Sequence, residues 1–337
     1  MRSYIFRRLL LIVPTLLGIT LVCFTLIQFV PGGPVEQMVS RVKASTSDRG
    51  VDASRAISEE EIENIKAYYG FDKPAYVRYF TWLGKLLVLD LGSSYSYEEP
   101  VWDVISSKFP ISLFFGLTSF LISYLVCIPL GIYKAMMNRS SFDVWTSVVI
   151  FIGYVIPGYA LGILLIIFFG GGSFLDWFPI SGIVSDDFES FSPGRKITDF
   201  LHHMVLPMVC YMASHFAFLT LLMKNALLEE IKKDYIRTAM VKGADFKTAV
   251  FRHAVRNSLI PLATGIGEIF TLIFAGSLLI EKVFDIDGMG LLFYNSIVSR
   301  DYNVVMGLIL LMSLLALLGR LFSDFMYIVV DPRISFS

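Results

Sequence analysis

Six apolar runs, each close to the roughly 20 residues an α-helix needs to cross a bilayer, constrain this chain more than any other feature. They cover residues 9–30, 111–133, 144–169, 204–223, 259–280 and 304 to about 330. A backbone in hydrocarbon must satisfy its own hydrogen bonds, as a helix does. The runs therefore predict an all-α polytopic membrane protein with six transmembrane helices. Only 17% of the 337 residues are charged, against about 25% in soluble domains. A formal net charge of −1 gives no reason to expect a nucleic-acid partner. Cys23, Cys127 and Cys210 lie inside apolar runs without metal-ligand spacing, so neither a disulfide framework nor a zinc site is expected.

Residues 1–30 carry Arg2, Arg7 and Arg8 ahead of the first run. That run is of span length and no small-x-small cleavage pattern follows it, so it reads as an uncleaved first span. Residues 31–110 form a long polar insert opened by the helix-breaking Pro31-Gly32-Gly33-Pro34. Within it, 40–57 is expected to be loose, and Ser58 with Glu61 makes a capping box for a helix ending at Gly70. A second helix opens at Asp72 and Pro74, with Val77, Phe80, Leu83 and Leu87 as a stripe that either lies on the membrane surface or packs on the protein, packing being the expected outcome. A third short helix runs over 100–108, before Pro110. Residues 111–330 hold the remaining spans, and 331–337 form a tail.

Charge sets the orientation. With the N-terminus inside, inner segments collect Arg2, Arg7, Arg8, Lys134, Arg139, Lys224 and the basic residues of 229–261; short outer segments hold only Arg195, Lys196, Lys282 and Arg300. Both termini are therefore expected in the cytoplasm and the long insert in the periplasm.

The stretch 229–261, EEIKKDYIRTAMVKGADFKTAVFRHAVRNSLIP, is polar and basic between apolar runs. It reads as two short helices. The first is amphipathic through Ile231, Tyr235, Ala239 and Met240 and breaks at Gly243, where left-handed geometry suits glycine. Asp245 caps the second, which carries Phe246, Ala249, Val250, Ala254 and Val255. An ordered polar loop of this kind suggests a docking surface.

No catalytic constellation accompanies it. The sequence contains no GxxxxGKS/T phosphate loop, no HExxH and no GxSxG, so no enzymatic activity is expected. Gly265-Ile266-Gly267-Glu268 resembles the GxGD of intramembrane proteases without a second acidic partner in a facing span. Glu268, midway along the fifth run, is expected to line a translocation path, the alternative being a protonated or hydrogen-bonded carboxyl buried between helices. Pro157 with Gly158, and Tyr154 beside them, are expected at a helix bend bordering that path. His215 reads as a packing residue, His202 and His203 as interfacial, and Arg320 with Asp324 as a pair on one helix face.

The segment 234–261 resembles the cytoplasmic EAA loop of ABC-importer membrane subunits. It is most similar to the dipeptide/oligopeptide branch, at Tyr235, Thr238, Ala239, Lys242, Gly243, His253, Asn257 and Pro261. The wider family's Glu-Ala-Ala stands here as Arg237-Thr238-Ala239. RRLLLIVPTLLGI, PGGP, YGFDKP, AGSLLIEKVF, SRDYNVVMG and DPRI extend the likeness along nearly the whole chain. The 40–57 insert and the PGGP exit most resemble Yej-type peptide permeases, a subfamily that imports oligopeptides and peptide-like antibiotics such as microcin C.

The resemblance implies a type I ABC importer permease fold in the bacterial inner membrane. It implies a subunit that takes up oligopeptides or peptide-like compounds by alternating access, driven by ATP hydrolysis elsewhere. The implied partners are a second, homologous permease, two ATP-binding subunits or one fused ATPase, a periplasmic substrate-binding protein and membrane lipid. No cofactor is implied for this chain; ATP and Mg belong to the ATPase subunits. The implied coupling loop spans 225–258, with Tyr235, Arg237, Thr238, Ala239, Lys242, Gly243, Ala244, Asp245, His253 and Asn257 facing the ATPase. An ion-coupled secondary transporter using Glu268 and His215 as a relay is the competing reading, and it predicts uptake by the chain alone.

Overall fold

The computed structural model describes residues 2–29, 63, 71–171 and 174–330. Among them all regular structure is helical, apart from isolated bridges at Ser93–Pro100 and Gly170–Phe178. The insert residues 40–57, the PGGP exit, the proposed capping box at Ser58 and the tail 331–337 lie outside the described residues. Three helices are long and apolar enough to cross a membrane uninterrupted, Tyr4–Phe29, Val101–Met136 and Tyr302–Met326. Two bent pairs raise that number to as many as five.

Two compact units can be described, each by itself. One comprises Leu9–Phe109 and Leu292–Leu314. In it α1 (Arg2–Phe29) meets α2 (Ala75–Leu86). Thr20 Oγ1 and Tyr79 Oη lie 3.1 Å apart, and the Phe24 and Tyr79 rings 5.3 Å apart. The packed face of α2 is Tyr79, Trp82, Leu83 and Leu86. This corrects the expected stripe, since Phe80 is 65% and Leu87 86% exposed. Tyr79 and Trp82 bring larger ring surfaces to the contact, and ring burial decides which face turns in. Asp301 is fully buried and caps the final helix. It accepts from Ser94 Oγ, from Ser96 N at 3.0 Å and from Val304 N at 3.4 Å.

The expected short helix over 100–108 is the first part of α3 (Val101–Met136), a single 36-residue helix that runs through Pro110. A proline inside a helix costs about 3 kcal/mol. Burial of Val101, Val104 and Ile105, none more than 2% exposed, offsets that cost on the N-terminal side.

The second unit comprises Met1–Arg8, Pro110–Leu291 and Leu315–Ser337. Here α4 (Ser141–Val155) and α5 (Gly158–Phe169) meet at 103° across Ile156-Pro157. Proline disfavours helical geometry for the residue before it, and Ile156 is accordingly extended, at φ −80 and ψ 120. Both helices pack on α6 (Pro193–Ile231). A Cβ on Gly131 would come within 2.7 Å of Met223 Cβ, so α3 approaches α6 closely because that position is glycine.

Beyond the loop α7 (Asp234–Val241), α8 (Phe246–Ala249) and α9 (Val255–Ser258), the fifth apolar run is divided into α10 (Ile260–Gly265), α11 (Glu268–Ala275) and α12 (Leu278–Val283). Two glycines make the breaks. Gly267 lies against the backbone of Gly319, leaving no room for a Cβ, and its N–H donates to Ser323 Oγ at 3.0 Å. Gly276 adopts φ +57, a conformation glycine takes at little cost. The loop after it is stapled by Glu281, 1% exposed, which accepts from the backbone N–H of Ser277 at 3.0 Å and of Leu291 at 2.6 Å and from Tyr211 Oη at 3.2 Å. The chain closes with α13 (Met289–Val298) and α14 (Tyr302–Val330). On α14, Asp324 does not follow the expected i,i+4 pairing. It takes Tyr4 Oη at 3.0 Å and Arg8 at 3.2 Å, partners distant in sequence that no helical spacing reveals.

Candidate functional site

The loop 229–261 is built on a buried underside. Ile236, Ala249, Val250 and Ala254 are fully buried, in one cluster with Ile132, Ala135, Met223, Leu227 and Leu262. Tyr235, Ala239, Ala244 and Val255 pack at its margin. Seven of the nine expected apolar positions are therefore packed, Ile231 also lying at the margin, while Phe246 is 44% exposed and Met240 38%. Ile236 was not among the expected core positions. It occupies the same inward face as Ala239, three residues on, and its apolar side chain next to Tyr235 was the available signal.

The turn at Gly243 is a Schellman motif. Ala244 N donates to Ala239 O at 3.1 Å and Gly243 N to Met240 O at 3.0 Å, with Gly243 at φ +97. Those two bonds satisfy carbonyls that the end of α7 would otherwise leave open. Asp245 then caps α8, its carboxylate accepting from Thr248 N at 3.4 Å. The hydrogen bonds from Thr248 hold the Asp245 carboxyl below its usual range. After α8 the chain widens into a π-helical turn, Val250–Ala254, before α9.

Two loop residues from opposite ends of the segment meet. Tyr235 Oη donates to Glu230 and accepts from Asn257 Nδ2 at 3.1 Å. Burial and the bond to Glu230 push the Tyr235 hydroxyl up to about 12, so it stays a donor at physiological pH. Tyr235→Phe is expected to cost about 1.5–3 kcal/mol, since a hydrogen bond to a charged acceptor is lost. The check is the monodisperse fraction of purified protein remaining after stepwise heating.

The outer surface of the loop is made of other residues. Val241 is 88% exposed, and Lys242, Gly243, Asp245, Lys247, Arg252 and His253 are exposed around it. Phe251 is 48% exposed. Arg237 points outward in a loose ion pair with Asp234 at 3.8 Å, and Thr238 bonds back to Asp234 O at 2.9 Å. The result is a basic surface with apolar side chains standing on it, carried by short helices fixed from below.

Beneath the loop lies a charge cluster that spacing alone did not reveal. Lys134 is fully buried, its Nζ 3.1 Å from Asp143 Oδ1 and donating to Thr146 Oγ1 at 2.6 Å and Ser147 Oγ at 2.8 Å. Lys224 Nζ reaches the same carboxylate at 2.7 Å. The backbone N–H of Arg139 adds a bond at 3.0 Å. Two cations on one buried carboxylate tie the ends of α3 and α4 to α6.

The three expected pathway residues are placed as follows. Pro157 forms the 103° break described above and is exposed, and Tyr154 is 55% exposed on α4. Glu268 opens α11, but its side chain lies outside the described residues. His215 lines a cavity of about 290 Å³ with Ser123, Tyr124 and Thr264. Among the described residues no group of three His, Cys, Asp or Glu side chains is arranged to hold a metal.

Residues 127–336 match the family described as binding-protein-dependent transport system inner membrane component. The whole chain is 42% identical, over 359 aligned residues covering 99% of that protein, to the peptidoglycan transport system permease protein YejB of Agrobacterium fabrum. It is also 42% identical to the inner membrane ABC transporter permease protein YejB of Escherichia coli O157:H7, over 361 residues and 99% of its length. Identity to the oligopeptide transport system permease protein AppB of Bacillus subtilis is 34% over the full length of both chains.

Proposed function

Because the chain belongs to the family of binding-protein-dependent transport inner-membrane components, we propose that it takes up oligopeptides or peptide-like compounds as the permease subunit of an ATP-binding-cassette importer. It is a multi-pass inner-membrane protein and not an enzyme, and ATP is hydrolysed by separate subunits. Full-length likeness to peptide permeases carries the reading. The absence of any phosphate-loop motif in the sequence agrees with it.

The exposed face of the loop is our candidate for the contact that transmits ATP binding and hydrolysis. Arg237, Thr238, Lys242, Gly243, Asp245 and His253 would face the ATPase, while Tyr235 and Asn257 hold the loop in shape and Ala239 with Ala244 close its turn. A loop fixed at Ile236, Ala249 and Val250 moves as a body with α6 rather than deforming. Displacing it would therefore bias the spans between inward-open and outward-open arrangements.

We further propose six spans with both termini cytoplasmic, the run 259–280 crossing as a broken segment. On this topology residues 31–110 lie in the periplasm, where they receive the substrate-binding protein, and Glu268, Pro157 and Tyr154 border the path. The expected assembly pairs this chain with a second, similar permease and two ATP-binding subunits or one fused ATPase.

The test is peptide uptake into vesicles holding the complete reconstituted complex. Uptake is expected to need ATP, the ATPase subunits and the binding protein, to stop with vanadate and to ignore protonophores. Uptake by this chain alone, abolished by protonophores and indifferent to vanadate, would restore the ion-coupled reading.

A further inference from the structure

The unit containing α1 and α2 holds a cavity of about 790 Å³, within the size range of small-molecule sites. Its walls come from the C-terminal end of α1, from α2, from the loop around Ser93 and from the start of α14. Lys73, Arg78 and Lys85 line it against the single acid Glu98, so the wall is positive.

Three buried donors on that wall have no acceptor among the described residues: Trp82 Nε1, Arg78 Nε and Gln28 Nε2. Trp82 is only 9% exposed. The rest of the Arg78 guanidinium is already committed, donating to Gln28 Oε1 and lying 5.0 Å from the centre of the Phe71 ring. Buried donors are almost always satisfied. Three orphans on one positive wall thus mark a place for an acceptor-rich anion.

The surroundings say which anion. At the end of α2, between the lining residues Lys85 and Leu91, the turn presents Leu87, Val88 and Leu89 outward, between 70% and 86% exposed. A soluble anion has no use for that strip, whereas a lipid places its phosphate and its acyl chains side by side. Amphipathic helices with aromatic and aliphatic residues on one face and cations on another lie at the membrane interface, and basic pockets between helices take lipid head groups.

We propose that this cavity binds the phosphate of an anionic phospholipid, with Arg78, Trp82 and Lys85 as the contacts and the acyl chains along residues 87–89. Only the choice of leaflet rests on the topology proposed above; phosphate recognition does not.

The intact complex would be exchanged into phosphatidylcholine nanodiscs with and without phosphatidylglycerol and released for native mass spectrometry. Phosphatidylglycerol is expected to stay bound and phosphatidylcholine to be lost. Lys85→Gln, at an exposed position that leaves packing untouched, is expected to retain about tenfold less, the equivalent of one contact of about 1.4 kcal/mol. Trp82→Phe keeps the ring and removes the donor, and should also retain less. Equal retention of both lipids, or unchanged retention in both variants, would overturn the proposal. A second arm offers inorganic phosphate in detergent and follows labelling of Lys85 by an amine reagent. Protection by phosphate as strong as by the lipid would assign the cavity to a free phosphate and likewise remove the lipid. The readouts involve no transport, so their outcome is independent of whether the importer reading stands.

Discussion

A complex carrying Gly243→Trp is expected to keep hydrolysing ATP while its peptide uptake falls between about fivefold and 150-fold, the range of a typical coupling free energy between two sites. Among the described residues a Cβ at Gly243 meets no atom within 4 Å. The effect must come from the backbone or from whatever covers the exposed turn. Gly243 stands at φ +97 as the residue that closes the Schellman motif, and a side chain there costs about 1–2 kcal/mol. Two companion substitutions separate these causes. Gly243→Asn brings a small side chain that tolerates left-handed geometry and is expected to keep most of the uptake. Gly243→Val brings the full backbone penalty with little bulk and should fall between the two. Measuring ATP hydrolysis and uptake on the same vesicles distinguishes uncoupling from a failure to assemble. Normal uptake by the tryptophan variant would exclude Gly243 from the docking contact.

Asp143→Ala is expected to destabilise the folded protein by about 3–5 kcal/mol, the usual consequence of removing one partner from a buried ion pair. Lys134 is fully buried and Lys224 is 14% exposed beside it, and both lose their counter-charge together. The hydroxyls of Thr146 and Ser147 still accept from Lys134, but they carry no charge to balance it. Removing Lys134 as well should reverse much of the loss, since the remaining cation, Lys224, keeps 14% of its side chain exposed. Lys134→Met with Asp143→Leu is expected to recover stability toward the wild type, because replacing a buried pair by apolar residues is often neutral. Heating the purified variants and following monodispersity by size exclusion gives the comparison. A double variant no better than Asp143→Ala would show that the hydrogen bonds to the backbone and hydroxyls, rather than the charges, hold this corner.

Much of the loop was legible because its signals are local. The Gly243 break, the Asp245 cap and the inward positions Ala249, Val250 and Ala254 follow from spacing on a short helix and from glycine and aspartate chemistry. The outward turn of Phe246, and of Phe80 and Leu87 in α2, was not legible. Hydrophobicity tells which residues prefer burial, but which face turns inward is decided by what the neighbouring elements offer. The tyrosine hydroxyl illustrates the same limit: Tyr235 reads from sequence as a partner contact, whereas its Oη is engaged by Glu230 and Asn257.

The sequence by itself determined that this chain is helical, that it belongs in a membrane and that a basic polar loop interrupts its apolar runs. It also located the breaks at Pro157 and Gly243. These follow from chain-local physics: the length of an apolar run, the geometry disfavoured before proline and the left-handed freedom of glycine. Tertiary structure alone decided that Asp143 joins Lys134 and Lys224, that Asp324 takes Tyr4 and Arg8, that Glu281 staples the loop after Gly276 and that three donors are left open on one positive cavity wall. Each of those depends on polar groups from separate elements being packed against one another. The energy of such a contact comes from burial and distance in space, which no spacing along the chain encodes.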